Sequence, residues 1–144
     1  MRAVLFPGQG SQYVGMGSDF YKKFDSTKFF FEMVDKTLGF SLSNIILNGP
    51  EAELKLTQNT QPAIMTVGVC IFNVLNQEFG LNLNNTKFFA GHSLGEYTAL
   101  VCAGSLSIEK AENIDAALIR YLTVRVKNHD LKKNYFEKKD FSTN

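Results

Sequence analysis

Short apolar runs mark two places where the chain is expected to form a strand. The run at residues 2–6 ends at Pro7 and Gly8, which is typical of a buried strand that leads into a turn. A second strand is expected over residues 86–90, and Gly91 follows it at once. Each predicted strand therefore leads directly into a glycine-rich segment.

Between and after these runs, apolar residues recur at helical spacing. The clearest helix is expected over residues 60–79, with Pro62 in its first turn and Gly80 as its stop. A shorter helix is expected over residues 19–24, and another over residues 96–103.

A further helix is expected to begin near Ser26 and to end at Gly39. Its apolar face is predicted to consist of Phe29, Phe30, Met33, Val34 and Leu38. Ser107 is expected to cap one more helix.

This order of elements predicts an α/β protein with parallel strands. The functional crevice of such a sheet lies beyond the carboxyl ends of its strands. Both glycine-rich segments follow a strand, so they are expected to lie together at that end. The arrangement indicates a site there.

Composition narrows the class of protein. The chain has 144 residues, 44% of them hydrophobic and 20% charged, with a net charge of +1. These values are ordinary for one globular domain and give no reason to expect nucleic acid or membrane as a partner. Cys70 and Cys102 both lie in apolar surroundings, which favours buried free thiols in a reducing cytoplasm. No signal peptide or membrane-spanning segment is expected.

The segment at residues 91–95 matches the Gly-x-Ser-x-Gly pattern of a nucleophile elbow, with a strand before it and a helix after it. A strand that reverses into a helix within a few residues leaves no room for side chains beside the serine. Ser93 would then present its hydroxyl at a helix start, where free N–H groups favour negative charge. An ordinary strand-to-helix turn remains an alternative for this pentapeptide taken alone.

Several separate motifs together resemble one family, the malonyl-CoA:acyl-carrier-protein transacylases, whose relatives are the acyltransferase domains of fatty-acid and polyketide synthases. The motifs, in family order, are Pro-Gly-Gln-Gly-Ser-Gln at residues 7–12, Val-Gly-Met-Gly at 14–17, Thr-Gln-Pro-Ala at 60–63, Gly-His-Ser-Leu-Gly-Glu-Tyr at 91–97 and Ala-Leu-Val-Cys-Ala-Gly at 99–104. The resemblance implies an α/β-hydrolase-like acyltransferase core, truncated here before the family's small inserted subdomain.

The resemblance also implies roles for individual residues. Ser93 would attack the malonyl thioester and pass the acyl group to the phosphopantetheine thiol of acyl carrier protein. The backbone N–H groups of Gln9 and Leu94 would form the oxyanion hole. Gln61 would line the pocket, with a helix-start hydrogen-bonding role as an equal alternative, and His92 is expected to pack or to form a pocket wall. Neither a cofactor nor a metal is implied.

Two functional residues of the family have no match in this chain. The general-base histidine belongs to a later segment, and His129 is interpreted as a solvated surface residue. The place of the carboxylate-binding arginine falls at Leu118, and Arg120 is about 200° further around a helix. Residues 1–112 are therefore interpreted as a partial acyltransferase large subdomain, and residues 113–144 as a divergent tail without family resemblance.

The sequence thus predicts a malonyl-CoA:acyl-carrier-protein transacylase of fatty-acid biosynthesis in an incomplete or inactive copy. Its expected partners are malonyl-CoA and acyl carrier protein. A second hypothesis is a non-catalytic remnant that binds acyl carrier protein or CoA. A third, an unrelated serine esterase, is disfavoured by the loop at residues 8–12 and by the lack of a downstream Asp/His pair.

Overall fold

The computed structural model describes residues 2–83 and 86–106. Within them the chain forms two strands and six helices. In chain order these are β1 (Ala3–Phe6), α1 (Ser18–Lys23), α2 (Asp25–Leu38), α3 (Leu42–Asn48), α4 (Glu51–Lys55), α5 (Thr57–Gln77), β2 (Phe88–Gly91) and α6 (Gly95–Cys102). The helix expected at Ser107 lies outside the described residues.

The two strands pair in parallel, so the α/β class with a parallel sheet is confirmed. Ala3 lies opposite Phe88, and Phe6 lies opposite Gly91. Because both strands run in the same direction, the segments that follow Phe6 and Gly91 emerge at the same edge of the sheet. This register brings the two glycine-rich segments together.

Helix α5 is the centre of the core, and one face of the sheet packs on it. The ring of Phe72 on α5 lies 6.4 Å from that of Phe6 on β1 and 5.8 Å from that of Phe89 on β2, centroid to centroid. At Gly68 a β-carbon would come within 3.0 Å of the Thr98 side chain on α6. The absence of a side chain there allows α5, α6 and the sheet to pack closely.

The opposite face of β1 is open within the described residues. Leu5 is 74% exposed, so the expectation of a buried first strand is wrong for three of its four residues. Strand neighbours point to opposite faces, and only the face of Phe6 meets α5. An apolar groove of about 360 Å³ borders β1, lined by residues of this strand, of residues 11–17 and of α5.

The predicted apolar face of helix α2 is confirmed at four of its five residues and wrong at Phe29: Val34 is buried, and Phe30, Met33 and Leu38 pack against the core. Phe31 is 1% exposed and contacts the ring of Tyr21, with centroids 5.3 Å apart, whereas Phe29 is 71% exposed. The helix begins at Asp25 and has no side-chain cap, which corrects the expectation for Ser26. Its end at Gly39, with φ of 76°, agrees with the prediction.

Helix α5 begins earlier than expected, at Thr57, so Pro62 lies in its second turn. The extra turn is anchored to the short helix α4 before it. The side chain of Asn59 donates a hydrogen bond to the carbonyl oxygen of Glu53 at 2.9 Å. The hydroxyl of Thr60 donates one to the carbonyl oxygen of Leu54. The sequence pattern did not predict α3 or α4, which are only seven and five residues long.

We predict that Phe31→Ala lowers the free energy of unfolding by about 3–5 kcal/mol, because it leaves a cavity beneath α2. The matched variant Phe29→Ala removes an exposed ring and should change that energy by no more than about 0.5 kcal/mol. Urea unfolding followed by circular dichroism measures both. Equal losses for the two variants would contradict the assignment of the buried face.

Candidate active site

Ser93 occupies a sharp turn between β2 and α6. Its φ of 55° lies in the left-handed region, which non-glycine residues rarely adopt. Two backbone hydrogen bonds close the turn. The N–H of Gly95 donates to the carbonyl oxygen of His92 at 2.9 Å, and the N–H of Glu96 donates to the carbonyl oxygen of Ser93 at 3.0 Å. Ser93 is exposed, at the start of α6. A strained and exposed serine before a helix has the geometry of a nucleophile elbow.

Gly91 and Gly95 of the elbow lie where neighbouring backbone atoms leave no space for a side chain. A β-carbon on Gly91 would lie 1.9 Å from the carbonyl carbon of Gly95. A β-carbon on Gly95 would lie 2.3 Å from the carbonyl oxygen of Phe6 and 2.8 Å from that of Pro7. These atoms are backbone and cannot move aside easily. The start of α6 therefore lies directly against the end of β1.

The loop after β1 meets the elbow from the other side. The N–H of His92 donates to the carbonyl oxygen of Phe6 at 3.1 Å. A β-carbon on Gly8 would lie 2.5 Å from the carbonyl oxygen of His92 and 2.8 Å from its Nδ1. The structure thus places the loop that carries Gln9 beside the turn that carries Ser93.

Internal hydrogen bonds shape this loop. The hydroxyl of Ser11 donates to the carbonyl oxygen of Gly8 at 2.9 Å, and the N–H of Gly10 donates to Gln12 Oε1 at 2.8 Å. Gly10 has φ of 108°, which a side chain would strain. Across residues 2–83 and 86–106, the backbone N–H groups of Gln9 and Leu94 donate to no protein acceptor.

The side chain of Gln9 reaches the first turns of α5. Its Nε2 lies 3.4 Å from the hydroxyl oxygen of Thr57, and its Oε1 lies 3.5 Å from Gln61 Nε2. Gln61 is only 6% exposed, and its Oε1 has no hydrogen-bond partner in the described part of the chain. Sequence reasoning singled out Gln61 but missed Thr57, because nothing in the local sequence indicates a contact with a loop some fifty residues earlier.

Other candidate groups do not join this arrangement. His92 is exposed beside Gly8, and no hydrogen bond links it to the Ser93 hydroxyl within the described residues. Leu118, Arg120 and His129 lie outside those residues. Burial raises the pKa of the Cys102 thiol well above its usual range, so Cys102 does not compete as a nucleophile.

The described residues show neither a metal-binding cluster nor a membrane-spanning helix. They contain no group of three or more His, Cys, Asp or Glu side chains that could hold a metal ion. None of the helices in these ranges combines the length and apolar character that a bilayer span requires.

Comparison with known proteins decides the family. The sequence profile of the acyl transferase domain matches residues 4–129. The chain belongs to the acyl transferase domain family. The expected family and fold class are thereby confirmed. The profile match runs past residue 112, further than the motifs suggested, and the proposed boundary there stays a prediction.

Relatives and solved structures within this acyl transferase family agree. The chain is 44% identical to a malonyl CoA-acyl carrier protein transacylase of Bacillus subtilis over 128 residues, which cover 89% of this chain and 30% of the relative. It is similar to the acyl-carrier-protein S-malonyltransferase of Bartonella henselae, with a TM-score of 0.71 and 43% identity over 88% of this chain and 38% of that one.

A third similar structure is a malonyl-transacylase solved in complex with its type II PKS acyl-carrier protein. Its TM-score is 0.70, with 41% identity over 87% of this chain and 37% of that one. The chain spans about a third of the length of the curated relatives that it matches.

We predict that Ser93→Gly raises the free energy of unfolding by about 1 kcal/mol relative to Ser93→Ala. Both variants lose the hydroxyl, but only glycine adopts a φ of 55° without a steric penalty. Urea denaturation of the two proteins gives the difference. If Ser93→Gly were the less stable variant, the backbone of the elbow would not be strained.

Cys70 and Cys102 are both buried and not in a disulfide bond, and we predict that neither reacts readily in the folded protein. A thiol-reactive chromophore should label them slowly in native buffer and completely within the mixing time in concentrated urea, since only unfolding exposes the thiolates. The single variants Cys70→Ser and Cys102→Ser show which thiol accounts for which part of the labelling. Rapid labelling of Cys102 before unfolding would contradict its burial.

Proposed function

We propose that Ser93 is the nucleophile of a seryl acyl transfer from one thioester to a second thiol. The Ser93 oxygen attacks the thioester carbonyl, and the carbonyl electron pair moves onto the oxygen. Collapse of this intermediate breaks the carbon–sulfur bond and releases the first thiol, which takes up the proton that the serine loses. Attack by the second thiol on the seryl ester reverses these steps and restores the hydroxyl.

The observation that carries this proposal is the contact between the elbow and the loop at residues 8–12. The loop carries Gln9 and the Ser93 turn carries Leu94, and the backbone N–H groups of both residues have no protein acceptor among the described residues. Such donors stabilise the oxyanion of a tetrahedral intermediate more than the planar thioester. We propose that these two groups form the oxyanion hole, that Gln61 lines the pocket and that His92 forms its wall.

The names of the relatives suggest the substrates. The chain is similar to malonyl CoA-acyl carrier protein transacylases, and one similar structure contains an acyl-carrier protein. We therefore propose malonyl-CoA as donor and the phosphopantetheine thiol of acyl carrier protein as acceptor, in fatty-acid biosynthesis. Two cysteines that form no disulfide bond agree with a cytoplasmic location.

The identity of the base that accepts the Ser93 hydroxyl proton matters for a second candidate function. A serine hydroxyl needs a base for rapid attack, and no described residue is hydrogen-bonded to Ser93 as a base. This observation favours, as second candidate, a non-catalytic protein that binds acyl carrier protein or CoA. The two candidates differ in whether Ser93 becomes acylated.

We predict that malonyl-CoA acylates Ser93 slowly and that this chain does not sustain transfer at an enzyme-like rate. The oxyanion donors supply about 10²–10³-fold, while no residue in the described part of the chain is placed as a general base for Ser93 or as an arginine clamp for the carboxylate. Intact-protein mass spectrometry after incubation with malonyl-CoA measures acylation, and addition of holo-acyl carrier protein measures transfer.

The matched control is Ser93→Ala, and acetyl-CoA tests whether the carboxylate matters. Equal acylation of Ser93→Ala would refute the nucleophile. Binding of CoA without any acylation would favour the non-catalytic candidate. Turnover of many per second, selective for malonyl over acetyl, would show that the base and the clamp are supplied from outside the described residues, by the rest of the chain or by an assembled partner.

A further inference from the structure

The loop around Gln9 needs a restraint that its own backbone does not provide. Gln9 lies between Gly8 and Gly10, and glycine gives a chain more conformational freedom than any other residue. An oxyanion donor, in contrast, works only if it points at the developing charge before the reaction begins. The hydrogen bonds of Ser11 and Gln12 within the loop restrain Gly8 and Gly10, and contacts from outside the loop can restrain Gln9 itself.

The first two turns of α5 contact both ends of the Gln9 amide. Thr57 is the first residue of this helix, and its hydroxyl oxygen lies 3.4 Å from Gln9 Nε2. Gln61 lies one turn later, and its Nε2 is 3.5 Å from Gln9 Oε1. Both distances are longer than the usual range of about 2.7–3.2 Å, so each contact is weak. Together they approach the side-chain amide from two sides.

Neither residue of α5 is fully accounted for by a role in stability. Thr57 does not cap its helix, since no side-chain cap bond is present at the start of α5. Gln61 is buried and its Oε1 lacks a partner among the described residues, an arrangement that destabilises a fold. Residues that break a local packing rule in this way are expected at functional sites.

We propose that Thr57 and Gln61 are positioning residues that clamp the Gln9 side chain and thereby fix the Gln9 backbone N–H beside Ser93. The proposal rests on the oxyanion role of Gln9 proposed above. It adds Thr57 to the residues of the site. It also gives Gln61, proposed above to line the pocket, the specific role of holding the Gln9 side chain. Helix α5, anchored to α4 and buried along most of its length, is a rigid support for this clamp.

The clamp can be tested without any activity, through ¹⁵N relaxation of the Gln9 backbone amide in the full chain. Its order parameter should be near the rigid value of about 0.85 in the unchanged protein and should fall towards about 0.6 in Thr57→Val and in Gln61→Met. Thr57→Ser keeps the hydroxyl and should keep the rigid value. Thr37→Val removes a helical hydroxyl that bonds only to Met33 O, remote in sequence from this loop, and should leave Gln9 unchanged.

Stability separates positioning from an ordinary structural role. Gln61→Met removes the buried oxygen without a partner while nearly keeping the shape of the side chain, so its free energy of unfolding should be equal to or higher than that of the unchanged protein. A merely structural Gln61 would make this variant less stable. The expected combination is a more mobile Gln9 in a protein that is at least as stable.

Acylation of Ser93 gives the functional readout. In Thr57→Val the rate at saturating malonyl-CoA should fall about three- to tenfold, the loss expected for one modest hydrogen bond, while the concentration for half-maximal rate stays the same. Thr57→Ser should restore the rate. An unchanged Gln9 order parameter in both Thr57→Val and Gln61→Met overturns the clamp. Absence of acylation in the unchanged protein overturns the nucleophile instead, and the relaxation data still decide the clamp.

Discussion

One backbone contact organises the described part of this chain, namely that of the start of α6 with the end of β1. Gly95 lies so close to the carbonyl oxygens of Phe6 and Pro7 that a methyl group could not be inserted. The same approach aligns Gly91 opposite Phe6 in the sheet and presses Gly8 against His92. Because these contacts are between backbone atoms, they tolerate little variation. These contacts set the position of the turn that carries Ser93 relative to the loop that carries Gln9.

The sequence predicted the parts of the site that depend on missing side chains. Close approach of two backbones requires glycine, so Gly91 and Gly95 mark the elbow in the sequence itself. Parallel pairing could be expected from the order of the strands and helices. The α/β class and the contact between the two segments were therefore open to prediction.

Other features depend on tertiary contacts that leave no local signal. Phe29 and Phe31 are equally apolar, and the structure shows that Phe31, which contacts Tyr21, is the buried one. The start of α5 at Thr57 depends on hydrogen bonds to α4, a helix too short to show a periodic pattern. The contacts from Thr57 and Gln61 to Gln9 join residues about fifty positions apart, which no spacing in the sequence reveals.

The pairing of residues 3–6 with residues 88–91 affects the order in which the protein can fold during synthesis. Strand β1 is synthesised first, yet its partner leaves the ribosome only after all five helices between them. Helices α2 to α5 can assemble through contacts between neighbours in the chain, whereas closing the loop between the strands carries the entropy of the whole intervening segment. We therefore expect the turn that carries Ser93 to form after the helical layer has assembled.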